Sequence, residues 1–514
     1  MDSLRRLAEA VAGQTIIAKQ QPYVVLDANA VELESPTVPP YDEDSVEDTP
    51  MLYGDLEMAT KAYGTTYSNE IRVYLGYMAP LLVSQILSRY CTVLGPVSSM
   101  GKFGSIHLAG ASLANTTLNV LGLAPTMGIA SALDTLSTQA HGGSLNGQSR
   151  DLNMLYCLRV ALVTFVFLVP SMALMWFIEP IFLLMGVEAE VASIAAVYMR
   201  CGALGMPAYT AYECLRKYLQ AKGLFFGPAA AVVVVAPLSI WLMHTTTFGV
   251  NTPAVALALF FILSMLAEGL WAAYFLPKDT WHNLPSFRLV SQDLTIVFKL
   301  GGAGVLNVCS DWFAWEYLTI AAAWFGTEAL AANSVFASLA HFCYALPRNY
   351  LGRDAPRQAQ TAANAALGFG AALAAMTAAL MGLNDKSLAL IFTDDPKVLA
   401  IVEQVMPFFC IIVALDAMQG VYSGILSGAG MPIEIARIMV VAQWFIGLPL
   451  ATILAFSRLD MGLLGLWTGL GVGLILSAIR LAWLVMTNDW EKCANDAQAH
   501  IRASSMRAKE LGGE

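Results

Sequence analysis

The chain has 514 residues, 57% of them hydrophobic and 13% charged, with a mean hydropathy of +0.60 and a formal net charge of −10. Soluble proteins carry about 25% charged residues, so this composition excludes an ordinary water-soluble globular protein and points to a bilayer. Part of the negative charge sits in one short segment, Asp42, Glu43, Asp44, Glu47 and Asp48, ahead of any apolar run, and says little about the membrane part.

Residues 1–68 hold no apolar run long enough for a signal-peptide core, and Pro36, Pro39 and Pro40 lie beside the acidic cluster. They read as a disordered acidic cytosolic tail, either a plain solvated leader or a sorting or phosphorylation segment around Ser45 and Thr49. From Val73 onward the chain divides into stretches of the roughly 20 apolar residues that a membrane helix needs. Twelve spans are expected, over 73–98, 108–140, 151–177, 190–221, 228–249, 252–276, 292–324, 328–347, 358–382, 397–429, 433–456 and 461–487.

Basic residues in short loops mark the cytosolic side. Arg150, Arg216, Lys217, Lys222, Lys278, Arg288, Arg348, Arg353 and Arg357 fall on one side if both termini are cytosolic, and the opposite loops are diluted by Glu179, Glu188, Glu190, Asp394 and Asp395. The loop 277–291 separates two near-equal halves, so an N-terminal six-helix lobe over 69–276, a cytosolic inter-lobe loop, a C-terminal six-helix lobe over 292–487 and a cytosolic tail over 488–514 are expected.

The halves echo each other. LAGASLANTTLNVLGLAP at Leu108–Pro125 returns as LAANSVFASLAHFCYALP at Leu330–Pro347, and Gln220-Ala221-Lys222-Gly223 ends span four as Ser427-Gly428-Ala429-Gly430 ends span ten. Ala236-Pro237-Leu238 likewise matches Leu448-Pro449-Leu450. Such repeats are the mark of two-lobed transporters.

An ionisable residue at bilayer depth costs roughly 2.5–3.5 kcal/mol on insertion scales and calls for an explanation. Span seven carries Asp311 and Glu316 within CSDWFAWEYL, and span ten carries Asp416. Residues five apart project about 140° apart on a helix, so Asp311 and Glu316 occupy different faces, one at a cavity rim and one pointing inward. Acids among tryptophans such as Trp312 suit protons and desolvated organic cations, which aromatic faces attract by up to about 2 kcal/mol. The other reading is structural, with the acids paired to Lys299, Arg89 or helix ends. Asp134 and Glu213 near inner helix ends read as gate or scaffold residues, and Arg89 as a partner of an acid or a snorkelling side chain.

Other chemistry is missing from the sequence. The eight cysteines show no metal spacing and read as buried thiols, Cys201, Cys309 and Cys410 among them. No phosphate-cradling loop is present, so no cofactor, no nucleotide, no metal and no enzymatic activity are expected, and energy comes from an ion gradient. His107, His244 and His341 read as packed or interfacial residues.

The segment GIASALDTLSTQAHGG at Gly128–Gly143 closely resembles the signature of the multidrug and toxic compound extrusion (MATE) family, eukaryotic branch, in which a run like G-L-x-S-A-L-D-T-L-x-x-Q-A-x-G ends the second helix. The likeness extends through KYLQAKG at Lys217–Gly223, DWFAWE at Asp311–Glu316, YSGILSGAGMP at Tyr422–Pro432, GLLGLWTG at Gly462–Gly469 and NDWEKCANDA at Asn488–Ala497. The resemblance implies an all-α polytopic membrane protein of twelve transmembrane helices in two pseudo-symmetric six-helix lobes. It implies antiport of organic cations or drugs against protons, with Asp311, Glu316 and Asp416 as proton and substrate sites and Gln85, Asn119 and Tyr344, beside Trp312, lining the cavity. Ser338 stands where animal members carry a further glutamate, and Ala303 where a proline often kinks span seven. After Pro347 roughly eleven residues of the family pattern are missing, about 16 Å of helix.

The expected function is proton-coupled export of organic cations, drugs or metabolites by alternating access, as a monomer, in the plasma membrane or a vacuolar or other acidic-organelle membrane, with no nucleic-acid partner. The alternatives are a flippase for lipid or glycan-carrier headgroups, or an inactive transporter or faulty gene model with a shortened eighth helix.

Overall fold

A computed structural model describes residues 83–101, 103, 105–145, 152–245, 251–276, 280–281, 284–325, 329, 333, 356–383, 396–457, 461–490 and 492–493. The expected tail 1–68, nearly all of the expected span 328–347 and the stretch after Pro347 lie outside the described residues. Among the described residues every regular element is helical. That suits an apolar solvent, where each backbone N–H and C=O must be satisfied within its own segment.

The described residues fall into two compact units, one holding 270–276, 280–281 and 284 and the other all the rest. In the first, the Trp271 and Phe275 rings lie 4.6 Å apart. In chain order the helices are α1 (Gly95–Gly101), α2 (Ser105–Leu118), α3 (Ala124–Ala130), α4 (Ala132–Leu145), α5 (Asn153–Trp176), α6 (Ile178–Leu184), α7 (Ala189–Ala221), α8 (Phe226–Met243) and α9 (Thr252–Phe275). There follow α10 (Phe287–Val290), α11 (Thr295–Ala323), α12 (Pro356–Leu383), α13 (Pro396–Gly428), α14 (Pro432–Val440), α15 (Leu448–Phe456) and α16 (Gly462–Thr487). Nine helices among the described residues are long and apolar enough to cross a membrane.

Each half buries its own core. Leu118, Met175, Met206 and Phe261 belong to one, and Leu318, Phe409, Trp467 and Leu470 to the other. Large apolar side chains also stay exposed, among them Val166, Val169, Val234, Phe445, Ile479 and Met486, as expected where lipid rather than water is the solvent.

Among the described residues three turns of π-helix interrupt the spans, at Tyr90–Leu94, Asn119–Leu123 and Val441–Gly447, each running straight into a helix with proline at its second position, Pro96, Pro125 or Pro449. A helical proline clashes with the carbonyl four residues earlier and offers it no N–H. Those carbonyls belong to Thr92, Leu121 and Phe445, all inside the widened turns, which is how the clash is relieved. The orphaned Leu121 carbonyl accepts from the Ser171 hydroxyl of α5 at 2.5 Å. Proline alone does not dictate a π-turn, because Pro170, Pro207, Pro237 and Pro407 sit inside regular α-helices.

The sequence echo at the ends of spans four and ten is one cap used twice. Gly223 and Gly430 take φ values of 75° and 85°. Leu224 N–H donates to the Leu219 carbonyl and Met431 N–H to that of Leu426, both at 2.9 Å. This is a Schellman closure, in which glycine supplies the left-handed residue without steric cost.

The halves touch where α3 crosses α11. A Cβ on Gly128 would lie 2.5 Å from Val305 Cα, and one on Gly304 would run into the Gly128 carbonyl. The Thr135 hydroxyl of α4 donates to the Ser427 carbonyl of α13 at 2.6 Å, and the buried Arg159 of α5 donates to the Leu289 carbonyl of α10 at 3.2 Å.

Candidate functional site

Side-chain contacts set the direction of each helix in the second half. Trp444 Nε1 donates to the Ser310 carbonyl at 3.2 Å and the Tyr317 hydroxyl bonds Thr452, so α11 runs alongside the π-turn and α15 in the same sense. Gly465 and Gly469 of α16 meet Ala455 and Ala451, so α16 runs against them. Phe409 stands 5.2 Å from the Trp467 ring and Ile412 meets Gly471, so α13 runs with α16 and against α11.

These helices enclose an apolar plug that holds Ala314 and Leu318 of α11, Phe409, Ile412 and Val413 of α13, and Trp467 of α16. Trp315 also meets Trp467, edge-on at 5.4 Å. Asp311 precedes Ala314 by one turn and Asp416 follows Val413 by one turn. Because α11 and α13 are antiparallel, both acids lie off the same end of the plug. They are 4% and 8% exposed. The Ser310 carbonyl is anchored by Trp444, whose ring also takes Phe313 edge-on at 6.4 Å. One turn beyond Asp416, buried Gln419 accepts from the Ser477 hydroxyl.

Trp312 projects to the other half. It packs against the first half's core, with the Arg89 guanidinium 5.5 Å from its ring centre. Arg89 was expected to neutralise an acid or to snorkel, and the structure adds a cation–π contact to those readings. Gln85, half-buried, sits one turn before Arg89. Asn119 is buried in its π-turn with Oδ1 lacking a hydrogen-bond partner, as is Asn115 Oδ1 one turn earlier. For Glu316 only the backbone, inside α11, is described, and Tyr344 lies outside the described residues.

Asp134 and Glu213 form ion pairs. Lys217 Nζ lies 2.6 Å from both Asp134 oxygens, tying α4 to α7, and Arg216 Nε donates to Glu213 Oε2 at 2.9 Å. His244 acquires neighbours that the sequence did not reveal, the Tyr90 hydroxyl at 3.0 Å from Nε2 and the Ser99 hydroxyl at 3.3 Å from Nδ1. Cys410 is buried as expected, whereas Cys201 and Cys309 are only partly covered.

Buried polar residues that the sequence reading did not single out include Arg159, Glu268 and Gln443. Glu268 was the most findable, as a lone acid deep in the apolar run FILSMLAEGLWAAYF, where a window average conceals a single charge. Among the described residues no cluster of three or more His, Cys, Asp or Glu side chains could hold a metal ion.

The model of the MatE family matches residues 71–245 and 305–453, more than half of the chain. An uncharacterized transporter of Schizosaccharomyces pombe is 28% identical over 442 residues, covering 82% of this chain and 80% of the relative. Multidrug and toxin extrusion protein 1 of Danio rerio is 28% identical over 472 residues, covering 87% and 78%. The crystal structure of the eukaryotic MATE transporter AtDTX14 superposes with a TM-score of 0.76 at 23% identity, covering 85% of this chain and 99% of that one. A multi-pass helical membrane protein with two separately packed halves, matched by that family along both of them, belongs to the multidrug and toxic compound extrusion (MATE) family of transporters.

Proposed function

We propose that this transporter exports small organic cations or drug-like molecules in exchange for protons, with Asp311, Glu316 and Asp416 as the exchanging acids. The observation that carries the reading is the pair of buried acids, Asp311 and Asp416, off one end of a tryptophan-centred plug, with Trp312 beside Asp311 at the seam between the halves. Acid and aromatic surface together recognise a desolvated cation, and a proton arriving at the same carboxylate releases it. The names of the relatives, multidrug and toxin extrusion proteins, agree with that substrate class.

The seam supports a reading of alternating access. The contact of Thr135 with Ser427 joins the first turn of α4 to the last turn of α13, and the meeting of Gly128 with Gly304 lies nearer the start than the end of α11. With both termini in the cytosol this is the inner side, and rocking of the halves about it would expose the acids to one face and then the other. The protein works as a monomer in the plasma membrane or the membrane of an acidic organelle. One unit of pH gradient supplies about 1.36 kcal/mol per proton, enough for roughly tenfold accumulation in one-for-one exchange.

The test is tetraethylammonium uptake into proteoliposomes under an imposed pH gradient. Uptake that collapses with the gradient and is lost in Asp311→Asn supports the reading. Wild-type uptake in Asp311→Asn removes the proposed site, and no uptake by the wild type removes the function.

A further inference from the structure

The first half contains a buried acid that the substrate site does not use. Glu268 of α9 has no exposed surface, and neither carboxylate oxygen has a hydrogen-bond partner. One turn earlier the buried Ser264 hydroxyl is also without a partner, as is the Thr210 hydroxyl on α7.

The packing of α9 on α7 fixes what surrounds it. Gly205 admits Ala258 and Phe261, and the Tyr209 and Phe261 rings lie 5.0 Å apart. Seven residues beyond Tyr209 stands Arg216, and seven beyond Phe261 stands Glu268, about 10 Å further along each helix. Among the described residues, Arg216, Glu213, Tyr212 and Cys214 of α7 and Cys157 of α5 are the titratable or charged groups that interact electrostatically with Glu268. Arg216 is already engaged, donating to both oxygens of Glu213 through Nε and Nη2.

Arg216 and Glu213 together carry no net charge, so an ionised Glu268 would leave one uncompensated negative charge in a dry, helix-packed interior with no donor to meet it. Such a site favours the neutral carboxylic acid. The same neighbourhood holds a way to ionise it, because Arg216 has five donors and can serve two carboxylates.

We propose that Glu268 is a proton-carrying site of the first half, distinct from the acids of the second half, and that Arg216 turns toward it when the proton leaves. In that step the O–H bond of the Glu268 carboxyl breaks, the proton passes to a water entering from the nearer membrane face, and the electron pair stays on the carboxylate. That carboxylate then accepts an N–H of Arg216, which keeps its bond to Glu213 through another. The coupling of this proton to transport rests on the proton-exchange reading above, whereas the presence of the proton does not.

Infrared pH titration of the purified, reconstituted full-length protein reads the proton directly, through the carbonyl stretch of a protonated carboxylic acid in an apolar site. The expected result is a band that Glu268→Gln removes and Glu268→Asp retains at a shifted position. Glu213→Gln, which leaves Arg216 without its present carboxylate, should convert Glu268 to the ionised form and abolish the band at a pH where the wild type shows it. Tetraethylammonium accumulation under a one-unit pH gradient should fall about tenfold in Glu268→Gln, the contribution of one proton. A band that persists in Glu268→Gln, or the absence of any band in the wild type, overturns the site. Unchanged accumulation in a Glu268→Gln protein that melts like the wild type overturns its coupling. A Glu268 band in a wild type that fails to move tetraethylammonium supports the site and sinks the transport reading instead.

Discussion

Arg89 holds its guanidinium 5.5 Å from the centre of the Trp312 ring, and so joins the first span to the residue that follows Asp311. Trp312 meanwhile packs on the first half's core although its backbone belongs to the second. A cation over an indole in partly dry surroundings is worth about 0.5–2 kcal/mol. Arg89→Gln and Trp312→Leu are each expected to lower thermal stability, and the double variant to lose less than the sum by that amount. A double-mutant cycle of thermal unfolding in detergent checks it, and additive losses would mean that the two residues meet without coupling.

The glycine crossing makes a different demand. Gly128 and Gly304 bring backbone against backbone between the halves, so an alanine at either position has nowhere to put its methyl group. Overpacking of this kind costs about 1–3 kcal/mol, and on the proposed alternating-access reading it falls on the conformation in which the halves meet at this crossing. Gly304→Ala should therefore lower the closed population at least about fivefold. Disulfide formation between Thr135→Cys and Ser427→Cys, whose parent residues are hydrogen-bonded across the same seam, measures that population. Equal cross-linking with and without the alanine would show that the crossing does not control closure.

Long apolar spans were legible because the bilayer imposes length and composition together. The span read over 190–221 is α7, Ala189–Ala221, and the span read over 461–487 is α16, Gly462–Thr487. The burial of Asp311 and Asp416 was legible residue by residue, since an acid inside an apolar run stands out there even though a window average conceals it. What periodicity cannot supply is direction across helices. Nothing in CSDWFAWEYL says that Trp312 faces the other half while Trp315 faces Trp467, because both lie in one stretch and differ only by three residues of rotation. The π-turns were illegible too. Pro125 and Pro170 look alike in sequence, and only Pro125 follows a π-turn whose freed carbonyl has a hydroxyl within reach.

That hydroxyl belongs to Ser171, and its removal is a clean test of the turn. Ser171→Ala leaves the Leu121 carbonyl buried without its side-chain donor, a loss of about 1–3 kcal/mol. Ser193→Ala, which removes an exposed hydroxyl bonded to the Glu190 carbonyl, should be nearly neutral. Pro125→Ala in the Ser171→Ala background returns an N–H to Leu121 and should recover part of the loss. Melting temperatures of the three variants decide it, and a neutral Ser171→Ala would mean that the widened turn satisfies its carbonyl by itself.

The ion pair of Asp134 with Lys217 predicts an asymmetry. The two side chains are 2.6 Å apart, but Asp134 is 31% exposed and Lys217 only 11%. Losing the lysine leaves a carboxylate that water can reach, so Lys217→Met, which keeps the apolar stem, should cost less than about 1 kcal/mol. Losing the carboxylate leaves an ammonium nearly buried against α7 with its main partner gone, and removal of one member of such a pair is the more damaging change. Asp134→Asn should accordingly destabilise by about 1.5–3 kcal/mol, the worth of a hydrogen bond to a charged group. Urea unfolding of the reconstituted variants ranks them. Should Lys217→Met prove the worse of the two, the lysine would matter through its packing on α7 and not through the charge it presents to Asp134.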